Sequence, residues 1–247
     1  GGIMNIDVLS FGRLAYRVFE EVGQDARVVL DDEGKNLVLR KIAGECEKDL
    51  KVFKGNLKKQ GYISEVKSVL SEFAQYGVDF ERLDDFMKEV PPESYLHYKL
   101  DDIRTIYEKF EEYLSEKYIT KEEMLDVLSD AVPYSDILKG SVVAMDGFTG
   151  FTPVQNRLIG ELFSVCEKVM ITVMMDGREN PYVYEHPYQI FALGKQMVTS
   201  LMKIAGEKKT EIEEPICLFE RPVYRFRDCS EMAFLETELF RYSGAKY

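Results

Sequence analysis

The stretch VVAMDGFTGFTPVQ, residues 142–155, runs from an apolar segment into an acidic residue and then into a helix start. A carboxylate at the carboxyl end of a buried strand sits where open parallel sheets place their ligands. In a magnesium-nucleotide site such an Asp holds the metal's water shell, and a carboxylate directly after it orients the attacking water. Here Asp146 fits the first role, but the second place is Gly147, which offers no carboxylate. The same residues also read as a strand closed by an ordinary Asp-Gly turn. Thr152-Pro153-Val154-Gln155 opens a helix: Thr caps it, Pro suits its first position, and Gln reaches back to the cap's amide. Gln155 therefore has a structural explanation beside any role facing a nucleotide.

A second candidate lies near the front, in LSFGRLAYR (9–17). Ser10 and a helix N-terminus beyond a strand end form a seat for phosphate, with Arg13 beside it and Phe11 or Tyr16 available to stack on a base. The plainer account makes Ser10 a cap, Phe11 a core residue and Arg17 a partner of Glu21 across one turn. No G-x-x-x-x-G-K-[ST] occurs in the sequence: EGKN (33–36) and LGKQ (193–196) lack both the upstream glycine and the hydroxyl residue. Without that loop, productive ATP binding is not expected. His97 and His186 have no partners by spacing. Cys46, Cys166, Cys217 and Cys229 are scattered without metal-ligand spacing, and read as reduced thiols, mostly in the core, of a cytoplasmic protein with no metal site.

These residues need elements to position them. IDVLSF (6–11) reads as a buried strand, followed by a helix whose Leu14, Ala15, Val18, Phe19 and Val22 share one face before Gly23. From 31 to 139 the pattern is almost wholly helical. Leu96, Leu100, Ile103, Tyr107, Phe110 and Leu114 form a packing seam, and Thr120 with Glu123 makes a capping box. SVVAMD, a helix from Pro153 to about Cys166, and KVMITVMM then give strand, helix, strand with apolar runs, the mark of a parallel sheet covered on both faces. A helix at about 188–205, an acidic connector, a strand near VYRFRD and a helix at about 230–242 follow. The expected fold class is α/β: a parallel sheet with flanking helices (1–30 and 140–247) that carries a large all-helical insertion (31–139).

The 247 residues are 45% hydrophobic and 31% charged, the composition of a globular protein. No apolar run spans a bilayer and no signal-peptide layout opens the chain, so no membrane partner is expected. The early first strand is expected to reflect a piece of a longer protein. A net charge of −12 argues against a general polyanion binder while leaving room for a local basic groove.

VLSFGRLAYRVFEEVG, MDGFTGFTPVQ and the later TEIEEPICL together resemble one family, AddB (also RexB), the B subunit of the bacterial ATP-dependent helicase/nuclease that processes double-strand breaks. The resemblance covers essentially the whole chain. It implies a fold like that of a P-loop NTPase, in the form of a superfamily 1 helicase whose motor has decayed, lacking its phosphate-loop strand. Ser10, Phe11, Arg13, Tyr16 and Phe148 become candidate contacts to DNA, chiefly the single-stranded 3′-ended strand. Asp146, Gly147 and Gln155 become the relic of the helicase Asp-Glu motif. The family further implies an AddA-type helicase/nuclease subunit as heterodimer partner and a contribution to recognition of the Chi sequence. It implies an iron–sulfur cluster and magnesium only in a C-terminal nuclease domain that lies beyond these residues, with no cofactor and no catalytic residue here. The competing expectation is a protein–protein docking module that scaffolds the partner subunit without touching DNA.

Overall fold

The computed structural model describes residues 6–23, 27–57, 59–115, 117–177, 179–218, 224–239 and 244–247. Helix α1 (Phe11–Val22) opens at Ser10 and stops at Gly23, whose φ of 71° is the left-handed conformation that favours glycine. Strand β1 (Val28–Leu30) leads into α2 (Asp32–Glu45), then α3 (Gln60–Tyr76), α4 (Phe80–Glu89) and α5 (Tyr95–Leu114). Strand β2 (Tyr118–Thr120) pairs in parallel with β1, Val29 opposite Ile119. After α6 (Lys121–Ala131), strand β3 (Val142–Met145), helix α7 (Pro153–Val165) and strand β4 (Lys168–Ile171) form a strand–helix–strand unit. Its strands are parallel, with Met145 opposite Ile171. Helices α8 (Ala192–Lys208) and α9 (Ser230–Glu238) complete the chain. Among the described residues, no helix is long and apolar enough to cross a membrane.

Two main hydrophobic clusters hold these elements. The first joins α2, α3 and α5 through Leu39, Ile42, Ile63, Val66, Ile103, Ile106 and Phe110. The second joins α1, α6 and α7 through Ala15, Val18, Leu128, Leu158, Ile159 and Leu162. The expected face of α1 lies in that second cluster, with Ala15 and Val18 fully buried and Leu14, Phe19 and Val22 packed against it. The α5 seam is buried at Leu100, Ile103, Phe110 and Leu114, but Leu96, in the first turn, is exposed. Helix α6, although inside the stretch 31–139, packs on α1 and α7. Both capping boxes form: Thr120 with Glu123 opens α6, and Thr152 with Gln155 opens α7.

Several expected elements differ. Residues 6–10 form no strand: Ile6 and Val8 are 68% and 88% exposed. An apolar run becomes a strand only where a neighbour accepts its backbone hydrogen bonds, and the parallel pairs form elsewhere, at β1–β2 and β3–β4. The expected sheet joining 6–11 to 141–145 is therefore absent among the described residues. Tyr224–Phe226, in the expected VYRFRD strand, is a short 3₁₀ turn, and the last helix stops at Glu238. Of the cysteines expected mostly in the core, Cys46 is buried and Cys166 half-buried, whereas Cys217 and Cys229 lie exposed on the segments outside the two clusters. Among the described residues, the β3–β4 sheet is covered on one face only. Val143, Met145, Val169 and Ile171 face the second cluster, whereas Val142, Ala144 and Met170 are exposed.

The break between α2 and α3 is held by one side chain. Asp102, on α5, is 2% exposed and accepts backbone N–H bonds from Lys51 at 2.8 Å, Val52 at 2.7 Å and Phe53 at 2.8 Å. A carboxylate accepting three amides fixes a loop as a strand partner would. Leu50, Phe53 and Leu57 plug the same loop into the first cluster.

Candidate nucleic-acid interface

The two stretches singled out in the sequence meet at one end of the β3–β4 sheet. Strand β3 ends at Met145, and the segment beyond it carries Phe148 and Phe151 back toward the start of α1. The ring of Phe148 lies 5.7 Å from that of Phe11 and 4.9 Å from that of Phe151, in tilted geometry. This separation suits favourable aromatic packing. All three rings pack against the second cluster and are partly buried. Phe11 therefore follows the core account more closely than the stacking one.

Ser10 caps α1, its Oγ accepting from the Arg13 amide at 3.4 Å. Arg13 and Tyr16 project into solvent one and two turns on, and neither side chain has a hydrogen-bond, ionic or ring partner among the described residues. Arg17 does not pair with Glu21. Its guanidinium reaches Asp7 at 2.5 Å, while Glu21 accepts from Ser135 Oγ at 2.5 Å and the Ile137 amide at 2.8 Å. The turn after α6 gives Glu21 a hydroxyl and an amide, a stronger set than one exposed pair across a helical turn.

Asp146 is exposed and its Oδ1 accepts from Thr172 Oγ1 at 2.5 Å. Thr172 Oγ1 in turn lies 3.4 Å from the Gly147 amide. Thr172 was not singled out from the sequence. The available signal is register: extending the Met145–Ile171 pairing by one residue sets Asp146 beside Thr172. Phe151 was missed as well, although it repeats the Gly-Phe step of Gly147-Phe148.

Gly147 has φ of 80°, with open space where a Cβ would stand. The position disfavours a second carboxylate by backbone conformation rather than by crowding, since L-residues are strained there. Gln155 is spent on the α7 cap, its Oε1 accepting from the Thr152 amide at 2.9 Å. The structure thus brings Ser10, Phe11 and Phe148 together, leaves Arg13 and Tyr16 exposed on α1, and commits Asp146, Gly147 and Gln155 to local bonding. That arrangement can offer a cation and a flat ring to a strand of nucleic acid.

A family model described as ADDB, N-terminal, matches residues 1–236. The B subunit of the ATP-dependent helicase/deoxyribonuclease of Lachnoclostridium phytofermentans is 41% identical over 98% of this chain. The proteins of the same name from Thermoanaerobacter sp. and Clostridium acetobutylicum are 36% and 33% identical, each over 97% of this chain. The chain spans only 20–21% of the length of these relatives.

Proposed function

The chain belongs to the ADDB N-terminal family, and on that premise we propose that it is the DNA-handling N-terminal region of the B subunit of a helicase/deoxyribonuclease. In this reading the region contacts the single-stranded 3′-ended strand, contributes to Chi recognition beside an AddA-type partner, and hydrolyses no nucleotide itself. The observation that supports it best is the adjacency of the two stretches. Phe11 and Phe148 are in ring contact, and Arg13 and Tyr16, without a side-chain partner among the described residues, stand on the helix that Phe11 opens. Arg13 supplies the charge a phosphate needs and Tyr16 the face a base needs.

The experiment is DNA binding by the full-length protein with its partner, measured across a salt series. Arg13→Ala is expected to weaken single-strand binding and to flatten the slope of log affinity against log salt by about 0.7, one counterion's worth. Tyr16→Ala is expected to cost roughly 1–3 kcal/mol per stacked base with the slope unchanged. Phe11→Ala is expected to lower the melting temperature first, because its ring is packed against Phe148 and the core. Parent-like binding by both Arg13→Ala and Tyr16→Ala would sink the reading.

A second reading, a docking module that never touches DNA, is favoured by the exposed apolar side chains of Val142, Ala144 and Met170 on the sheet. It predicts loss of association with the partner when these are made polar, with the salt slope for DNA unchanged in the Arg13 variant.

A further inference from the structure

In a chain of net charge −12, residues 48–59 hold five lysines, and no acidic residue occurs from Leu50 to Ser64. This is the loop between α2 and α3, and its residues point in two directions. Leu50, Phe53 and Leu57 are buried in the first cluster, while Lys48, Lys51, Lys54 and Lys59 are exposed. Lys58 lies outside the described residues.

Charge alone would make a solvated loop. Two further observations make it a preformed surface. The three amides bound by Asp102 fix the backbone that carries Lys51 and leads to Lys54. Aromatic rings lie under the ammonium groups: Lys51 Nζ is 4.8 Å from the Tyr98 ring and Lys59 Nζ is 6.0 Å from the Tyr62 ring. Lys51 is neutralised by Asp101 at 2.9 Å. Lys59 bonds only the neutral Asn56, at 3.2 Å, and Lys48 and Lys54 have no ionic partner among the described residues. Glu47 and Asp49 flank the start of the loop, and no further acidic residue follows in sequence until Glu65. A backbone fixed before binding loses little conformational freedom on meeting a ligand.

We infer that the α2–α3 loop is a second nucleic-acid contact, separate from α1, in which Lys48, Lys54 and Lys59 meet a run of backbone phosphates. Spaced, uncompensated lysines, one of them over a tyrosine ring, suit a repeating phosphodiester, which is read by charge and not by base edges. The identity of the anion as DNA rests on the function proposed above; the surface itself does not involve the α1 residues.

The test uses the full-length protein with its partner, and a labelled single-stranded oligonucleotide and its duplex as probes. The triple variant Lys48→Gln, Lys54→Gln, Lys59→Gln is expected to keep the parent's melting temperature, because all three side chains are exposed. Its affinity for at least one probe should fall roughly tenfold, and its salt slope should flatten by about 2–3, near 0.7–0.9 for each phosphate left unneutralised. The triple Lys→Arg variant, which keeps the charge, should restore both. Arg13→Ala measured in parallel separates the two surfaces. Weaker binding by the lysine variant with parent-like Arg13→Ala and Tyr16→Ala would support this loop while sinking the α1 contact. An unchanged affinity and slope in the lysine variant would overturn the inference whatever Arg13→Ala does, and would leave the loop a solubilising surface or a site for another anion.

Discussion

Glu111 shows how far burial can move a single group. It lines a small cavity with Lys35, Ser71, Tyr107, Glu122 and Glu123, where α2, α3, α5 and α6 meet. Burial, and then the Glu123 carboxylate, push its carboxyl up to about 7 from an ordinary value of 4.5. The folded protein therefore keeps a proton there that the unfolded chain has lost between about pH 4.5 and 7. The contribution of this group to stability is full below that window, declines as pH rises through it, and is gone above it. Glu111→Gln is expected to melt higher than the parent at pH 8 and to flatten the decline between pH 5 and 7; unchanged melting curves at both ends would count against it. At Gly147 the expected effect is opposite in sign. Gly147→Glu places an L-residue at a φ of 80°, costing about 1–2 kcal/mol in a denaturant titration. It should produce no magnesium-dependent ATP turnover above a no-protein blank, because the phosphate-cradling loop is still missing from the sequence. Gly147 was legible as a missing carboxylate; its backbone conformation was not, because residue type alone does not fix φ.

At the scale of elements, the legible parts were those with a local cause. Both capping boxes and the apolar face of α1 depend on residues three or four apart, and they stand where the sequence puts them. The strand–helix–strand unit at 142–171 was readable from its two apolar runs and the Thr-Pro helix start between them. Strands fared worse because a strand is made by its partner. Residues 6–10 have the composition of a strand and none of the pairing, while β1 and β2, three residues each, are too short to show a period. The loop after α2 was hidden for the same reason, since the residue that shapes it lies about fifty positions away. Asp102→Ala would leave three amides without their acceptor and is expected to cost about 3–4 kcal/mol, read as a shift of the denaturation midpoint. Asp102→Asn keeps one acceptor oxygen and should lose less. In the second cluster, Leu158→Ala removes a fully buried side chain shared by α6 and α7 and is expected to cost about 2–5 kcal/mol.

For the whole molecule, the feature that sequence and structure disagree on most is the covering of the sheet. Continuous apolar strands called for helices on both faces, and β3–β4 has its core on one. The chain spans about a fifth of the length of its relatives, and in the docking reading given above the partner lies over Val142 and Met170. Val142→Thr with Met170→Gln should then change the melting temperature of this chain alone very little, since exposed substitutions usually stay within about 0.5 kcal/mol. The same pair in the full-length protein with its partner should lower it clearly; equal, small effects in both would show that this face stays open.

The hold of Asp102 on the α2–α3 loop also has a consequence in time. Loop amides ordinarily exchange their hydrogens with solvent quickly, whereas those of Lys51, Val52 and Phe53 are tied to a carboxylate on another helix. Their exchange must wait until α5 separates from the loop, which requires the first cluster to open. In a deuterium-labelling experiment these three positions should form a slow island within an irregular segment, matching the interior of α5 and not the neighbouring turns. Such an island would report the integrity of that cluster while sitting directly beneath the lysines on its surface.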